Sequence, residues 1–379
     1  MRTTTLSALL ASMLAIGCVP MGNDSEQRNR VDAGGSGSAG SAGDTSCDTS
    51  NIAVQSGDFE FNSDASLTNI PKSCWQLAGK LTIDGSITSL AKLGDLRNVG
   101  DLVITSSGLT TIDTPNALAV SGSIDIETNS KLSDLSNLSL PTATASGSAS
   151  TCSSFLTAVT LKGNTALTSM GGMNQLGCVI GLTDIEGNTK LTDLDLSNAI
   201  RLEGGLTVTG NSAATSLELN NLVSITGAMT ISNNTALANL GQWSSLQFMH
   251  GPLTIDTNPA LTTLAGVMTG AANGTVGTGI MIEGELSITN NSKLTEVGEF
   301  EYLSWAQQIN IANNAQLDYC QAREVGCCVI DSAPSNINMA AITANKNTTC
   351  NGASSWCFGG NNNRCHNDYT GYNTQQGIE

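Results

Sequence analysis

A fourteen-residue pattern repeats along most of the chain and constrains the fold more than any other feature. The pattern is Gly-x-φ-x-φ-x-x-Asn-x-x-Leu-x-x-Leu, where φ is an aliphatic residue, and most copies are 21 to 24 residues apart. That period is too short for a separate domain and is typical of one turn of a solenoid. Two early copies, Leu81/Ile83 and Leu102/Ile104, have Ser86 and Ser107 in the asparagine position. Eight further copies contain the asparagine itself, at Asn129, Asn164, Asn188, Asn211, Asn234, Asn258, Asn291 and Asn314.

The φ-x-φ segment of each copy predicts a short strand. Its period of two places both aliphatic residues on one face and turns the middle residue outward. One such strand per turn stacks into a parallel sheet, and the later leucines at three-residue steps suit short turns with apolar residues inward. The sequence therefore predicts an all-β fold, a right-handed parallel β-helix or leucine-rich solenoid of ten to eleven coils. The repeated asparagine predicts a buried structural ladder whose amides satisfy backbone groups at the turn.

The N-terminal segment indicates export and anchoring. An apolar run from Leu6 to Gly17 is too short to span a bilayer as a helix, and it ends at Cys18. The residues Leu14-Ala15-Ile16-Gly17-Cys18 resemble a bacterial lipobox, which predicts a lipoprotein signal peptide over 1–17 and a lipid on Cys18. The Gly/Ser/Ala-rich remainder of 18–46 predicts a flexible tether. Val19 favours the outer membrane within the bacterial cell envelope, where the lipid would make the membrane a partner.

The charge and the cysteines narrow the function classes. The net charge of −17 makes nucleic acid an improbable partner. Ten cysteines remain after Cys18, an even set that indicates disulfides in an exported protein, and their spacing and the two histidines do not suggest a metal site. Cys152 and Cys178 are 26 residues apart, close to one coil, so we expect them to pair across neighbouring rungs. Cys327, Cys328, Cys357 and Cys365 fall in or near a C-terminal cap, and their spacing leaves the pairing open.

The outward strand positions hold the only cluster that suggests chemistry. Acids concentrate in the third and fifth rungs, and Lys162 lies on the rung between them. This predicted ligand face consists of Asp125, Glu127, Lys162, Asp184 and Glu186. A glycosidase could use such carboxylates, but the sequence favours cross-rung charge matching on a solvated sheet, because no arginine, histidine or aromatic residue joins the group. No nucleophile elbow, zinc-binding helix or phosphate-binding loop is present in the sequence, and we expect neither a cofactor nor an enzymatic activity.

Both ends of the repeat region resemble a known family, the receptor L domain, a leucine-rich β-helix found in insulin and EGF receptor ectodomains and in bacterial lipoproteins. Leu90-x-x-Leu93-x-x-Leu96-x-x-Val99-Gly100-x-Leu102-x-Ile104 is similar to its opening coil. Asn314-x-x-Leu317-x-Tyr319-Cys320, followed by Ile342-x-x-Asn345 and Cys350, is similar to its closing coil. The resemblance implies disulfide-capped ends, Cys47 with Cys74 and Cys320 with Cys350. It therefore implies a solenoid over 47–350, followed by a cysteine-containing cap and polar tail over 351–379.

The sequence favours a membrane-anchored envelope lipoprotein that binds a protein or glycan partner without catalysis. Three longer intervals between copies predict insertion loops, notably Pro141 to Thr151 and Gly270 to Gly279, and loops on a rigid scaffold often determine specificity. A structural or adhesive envelope spacer without a ligand is the alternative. A carbohydrate-active β-helix enzyme is the third hypothesis.

Overall fold

Parallel strands stacked one above another make up nearly all of the secondary structure. The computed structural model describes residues 52–346, apart from 142–143, 147–148, 153, 247, 268–280, 299, 301–302, 304, 320, 323–324, 326–341 and 344. Short 3₁₀ helices whose residues are all described lie at Ala91–Leu93 and Gly171–Gln175. The strands are β1 (Ala53–Gln55), β2 (Phe59–Phe61), β3 (Trp75–Asp84), β4 (Leu96–Thr105), β5 (Leu118–Val120), β6 (Ile124–Glu127), β7 (Leu138–Ser139), β8 (Thr144–Ser146), β9 (Ala149–Thr151), β10 (Val159–Lys162), β11 (Cys178–Val179), β12 (Thr183–Glu186), β13 (Asp193–Asp195), β14 (Arg201–Leu202), β15 (Leu206–Thr209), β16 (Ser216–Glu218), β17 (Ser224–Ile225), β18 (Met229–Ser232), β19 (Phe248–Met249), β20 (Leu253–Asp256), β21 (Met281–Thr289), β22 (Trp305–Ala312) and β23 (Ile342–Thr343).

The φ-x-φ segments form the main sheet, one strand per coil and all parallel. Each φ-x-φ segment pairs in register with that of the next copy along the chain, so that Leu161 lies between Ile126 and Ile185. The ladder runs in chain order through β2, β3, β4, β6, β10, β12, β15, β18, β20, β21, β22 and β23. The predicted all-β parallel solenoid is thereby confirmed, with about ten turns.

A second parallel ladder precedes the main sheet in each coil. Its strands are two or three residues long, as in β11, β14, β17 and β19, or are continuous with the main strand, as in β21. A glycine marks the corner between the two ladders, and the coils approach very closely there. A Cβ on Gly204 would come within 2.1 Å of the Gly181 carbonyl carbon, so no other residue fits without movement of the backbone.

The interior is one continuous stack of aliphatic side chains. Inward residues of the main strands, such as Ile185 and Val208, are fully buried, as are leucines from the later part of each repeat, such as Leu191 and Leu194. Trp75 and Trp243 also lie fully inside, and each indole nitrogen donates a hydrogen bond to a leucine carbonyl oxygen, of Leu93 and Leu240 respectively. Because the inward residues form the core, the outward residues of the strands form the surface that a ligand could contact.

The first predicted insertion loop contains a β-hairpin. Within Pro141 to Thr151, β8 and β9 pair antiparallel, with Ser146 opposite Ala149. The sequence suggested a loop because this segment contains only small residues and shows no apolar alternation. The second predicted loop, Gly270 to Gly279, lies outside the described residues.

Three disulfide-bonded cysteines lie among the described residues. Cys152 and Cys178 are joined, with 6.1 Å between their Cα atoms, as the 26-residue spacing predicts. Cys74 is also disulfide-bonded. Cys47, Cys320 and Cys350 lie outside the described residues, as do Cys18 and the segments predicted as signal peptide, tether and C-terminal tail.

Within the described part of the chain, no helix has the length and apolar character needed to cross a membrane.

Candidate functional site: the outer face of the main sheet

The repeated asparagines form a buried ladder that links every coil from Asn129 onward. At Asn188 the backbone N–H and the side-chain Nδ2 both donate to Oδ1 of Asn211, at 3.1 and 3.2 Å, and Nδ2 also donates to the carbonyl oxygen of Leu161 at 2.7 Å. The same contacts recur down to Asn345. Because each amide from Asn129 to Asn314 is fully buried and engaged on both sides, these asparagines are structural and offer nothing to a ligand.

A residue with left-handed backbone conformation precedes the asparagine in most coils. The position before the asparagine is occupied by glycine in three neighbouring coils and by asparagine in three later coils. Thr128 and Thr257 also adopt the left-handed conformation at this position, with φ of 56° and 54°. A β-branched residue is strained in this region. The turn after each main strand is therefore fixed by the ladder even where the local sequence resists it.

The outer face of the main sheet carries two columns of outward side chains, and we call it the outer sheet face. The first column takes the middle residue of each φ-x-φ segment, and the second takes the residue after that segment. Register places the first column in the order Thr82, Val103, Asp125, Thr160, Asp184, Thr207, Thr230, Thr254, Ser287 and Asn310, and the second in the order Asp84, Thr105, Glu127, Lys162, Glu186, Thr209, Ser232, Asp256, Thr289 and Ala312.

The five residues predicted as a ligand face come together in the charged part of this surface. Lys162 is in register with Glu127 on one side and Glu186 on the other. Its Nζ lies 2.7 Å from Oε2 of Glu186 and 3.2 Å from Oδ2 of Asp184. These hydrogen bonds, to Glu186 first and then Asp184, raise the pKa of the Lys162 ammonium above its usual value. The lysine therefore neutralises the acids of the fifth rung rather than those of the third.

Asp125 is the less compensated carboxylate of the cluster. Burial raises its pKa above 3.8, and the charge of Lys162 opposes that shift only in part. Its Oδ1 atom, like Oδ1 of Asp184, is shielded from solvent and has no hydrogen-bond partner among the described residues. Thr160 lies between the two aspartates, which are two rungs or about 10 Å apart.

The remaining half of the outer sheet face is rich in hydroxyl groups. Asp256 lies within it and accepts hydrogen bonds from the side chains of Thr257, Thr289 and Asn290, at 2.8, 2.5 and 2.7 Å. Burial alone would raise the pKa of Asp256, but these hydrogen bonds together lower it. This carboxylate is thus held ionised by its own neighbours, in contrast to Asp125.

The assignment of a function to this protein depends on the geometry of the site. No protein-family model matches the chain, and no curated protein matches it significantly. Among the described residues no three histidine, cysteine or acidic side chains are arranged to hold a metal ion. One feature escaped the sequence reasoning, a lysine that recurs two residues after the ladder asparagine in three coils.

Proposed function

We propose that this protein is an exported, lipid-anchored envelope protein whose receptor L-domain-like solenoid binds a glycan or protein partner through the outer sheet face, without catalysis. The observation that carries the proposal is the charged cluster around Lys162. It presents carboxylate acceptors, a lysine donor and the Thr160 hydroxyl side by side on a rigid parallel sheet. Such a set of groups suits hydrogen bonding to hydroxyl-bearing or charged ligands.

The geometry of the cluster favours binding over hydrolysis. A two-carboxylate glycosidase needs one protonated acid and one ionised base facing a common substrate bond. The raised pKa of Asp125 fits an acid, but Asp184 shares the ammonium of Lys162 with Glu186. A carboxylate in that pairing is a weakened base. The pair also lies on alternate rungs of one sheet, so both groups project in the same direction instead of flanking a bond.

A glycan array tests the binding proposal. Purified full-length protein in detergent would be applied to the array, with bound and released glycans analysed by mass spectrometry. We expect saturable binding of unmodified glycan that is weakened in Asp125→Asn/Asp184→Asn. These substitutions keep side-chain shape, remove the charge and turn one acceptor oxygen into an NH₂ donor, so the fold should be preserved while ligand contacts change.

A matched pair of substitutions controls for net charge. Asp193→Asn/Glu218→Gln removes two acids from the short ladder formed by β13 and β16, away from the outer sheet face, and should leave binding unchanged. Shortened glycan products that disappear in the Asp125/Asp184 variant would contradict the proposal and favour the enzyme. Absence of any ligand would favour the envelope spacer.

Anchoring is tested separately. The proposal predicts that mature protein from membranes begins at Cys18 and carries acyl chains, and that Cys18→Ser abolishes both the lipid and membrane association. An unmodified N-terminus upstream of residue 18 in membrane-associated protein would refute this part without affecting the solenoid.

A further inference from the structure

Three lysines occupy the same position in three different coils. Lys131, Lys190 and Lys293 each come two residues after a ladder asparagine, and all three are exposed. Since the ladder holds every coil in register, equal positions align along the solenoid axis. Lys131 and Lys190 are separated by two rungs, or about 10 Å, and Lys190 and Lys293 are separated by four rungs, or about 19 Å. We call this row the lysine line.

The ammonium groups of the lysine line are free. None of the three makes an ion pair or hydrogen bond with any residue that the structure describes, whereas Lys162 on the outer sheet face contacts two carboxylates. Most other coils carry alanine at the equivalent position, at Ala166, Ala213, Ala236 and Ala260. The fold therefore does not require a lysine there.

An acid lies three residues after each of these lysines, and two of the three acids accept hydrogen bonds from other residues. Both carboxylate oxygens of Asp134 accept hydrogen bonds from Ser136, and Oε2 of Glu296 accepts one from Thr263. Asp193 lies three residues after Lys190, and burial, followed by the charge of Asp195, raises its pKa. These carboxylates border the line without pairing with it.

Hydroxyl groups run beside the lysines on the same side of the solenoid. Four residues after the ladder asparagine, Ser133, Thr168, Thr192 and Thr295 each donate their hydroxyl proton to a carbonyl oxygen of the preceding coil, at 3.0 to 3.2 Å. Their protons are thus engaged, and the oxygen lone pairs are left to accept. The surface combines free cationic donors with a regular column of acceptors.

We propose that the lysine line is a second binding site, one that takes an acidic polysaccharide lying along the solenoid axis. Anionic groups of the chain would contact the ammonium groups, and sugar hydroxyls would donate to the serine and threonine oxygens. An extended polymer suits the site because the lysines are too far apart for a single small anion. The lysine line shares no residue with the outer sheet face, so an experiment can refute one of the two binding proposals without affecting the other.

Binding of full-length protein in detergent to immobilised polygalacturonate tests the proposal, with uncharged dextran as the reference polymer. Lys131→Ala/Lys190→Ala/Lys293→Ala installs the residue found in neighbouring coils, so folding is preserved. We expect this triple variant to raise the Kd for polygalacturonate by about tenfold, the size expected for loss of three exposed charge contacts. Binding by the wild type should also weaken steeply with added salt.

A control triple, Lys72→Ala/Lys80→Ala/Lys92→Ala, removes the same charge elsewhere and should change the Kd less than twofold. Equal loss in both triples, equal binding to dextran, or no binding to polygalacturonate would each overturn the proposal. Binding of phosphatidylglycerol vesicles through the three lysines in the absence of polygalacturonate binding would overturn it in favour of a membrane-facing role. Loss of glycan binding in Asp125→Asn/Asp184→Asn alone bears only on the outer sheet face.

Discussion

Replacing Asn211 with alanine should destabilise the solenoid more than any exposed substitution. Its Oδ1 accepts the backbone N–H of Asn188 at 3.1 Å, and its Nδ2 donates to the carbonyl oxygen of Ile185 at 2.8 Å. Asn211→Ala removes the hydrogen bond that each of these two buried backbone groups makes with the side chain. Each such group costs about 1–3 kcal/mol, so we expect a loss of roughly 4 kcal/mol in the free energy of unfolding.

Urea unfolding followed by far-UV circular dichroism measures this loss as a lower midpoint at unchanged slope. Asn220→Ala is the matched control, because Asn220 lies exposed in the same coil and its substitution should change stability by less than about 0.5 kcal/mol. A cost below about 1 kcal/mol for Asn211→Ala would refute the conclusion that the ladder holds the coils together.

Asn211→Asp sharpens the same test. Aspartate keeps the acceptor for Asn188 but, when ionised, faces the Ile185 carbonyl oxygen with a second acceptor in place of the donor. Burial beside the Ile185 carbonyl oxygen should raise the pKa of the new carboxyl group, so this variant should lose stability as pH rises through that pKa. A destabilisation that does not depend on pH would mean that Nδ2 contributes little.

Four further predictions concern the turns and the outer sheet face. Thr128→Asn should raise Tm by an amount equivalent to less than about 1 kcal/mol, because asparagine tolerates the left-handed backbone better than threonine does; a lower Tm would argue against strain there. Gly204→Ala should lower Tm by the equivalent of about 1–3 kcal/mol, because the new methyl group collides with the Gly181 backbone, and a wild-type Tm would show that the corner can relax. Burial raises the pKa of Asp125, so ionisation of this carboxyl group opposes folding. Asp125→Asn should therefore preserve or raise Tm at neutral pH, and it should give no increase in Tm below the usual carboxyl pKa of 3.8. The pKa of Asp256 is lowered, so Asp256→Asn should reduce Tm at neutral pH, and this loss of Tm should vanish as pH falls through the pKa of the folded state. Thermal melts of the Asp125 and Asp256 variants from neutral to acidic pH test both pKa directions. Identical pH dependence in the two variants would contradict them.

The main strands could be predicted from the sequence because their inward residues repeat at a fixed distance from the asparagine. Once Ile126, Leu161 and Ile185 are aligned, the neighbours of every outward residue are fixed too. The position of Lys162 between two acidic rungs follows from that register alone. Which acids it contacts does not, because the choice of Asp184 and Glu186 over Glu127 depends on side-chain conformation.

Other parts of the fold lacked a readable pattern. The first coil was missed because β2 uses Phe59 and Phe61, with Asp64 in the asparagine position. The second ladder escaped because strands such as β11 are two residues long, too short for a period of two to emerge. The lysine line was overlooked because a single exposed lysine carries no periodic signal until the coils are stacked.

The central proposal is that the outer sheet face binds a ligand without changing it. Titration of the strongest ligand from the glycan array into wild-type protein and into Asp125→Asn/Asp184→Asn, with the recovered ligand weighed by mass spectrometry, tests this most directly. We predict saturable binding by the wild type, a weaker Kd in the variant and a ligand of unchanged mass. Equal affinity in both proteins, or a ligand cleaved by the wild type alone, would contradict the proposal.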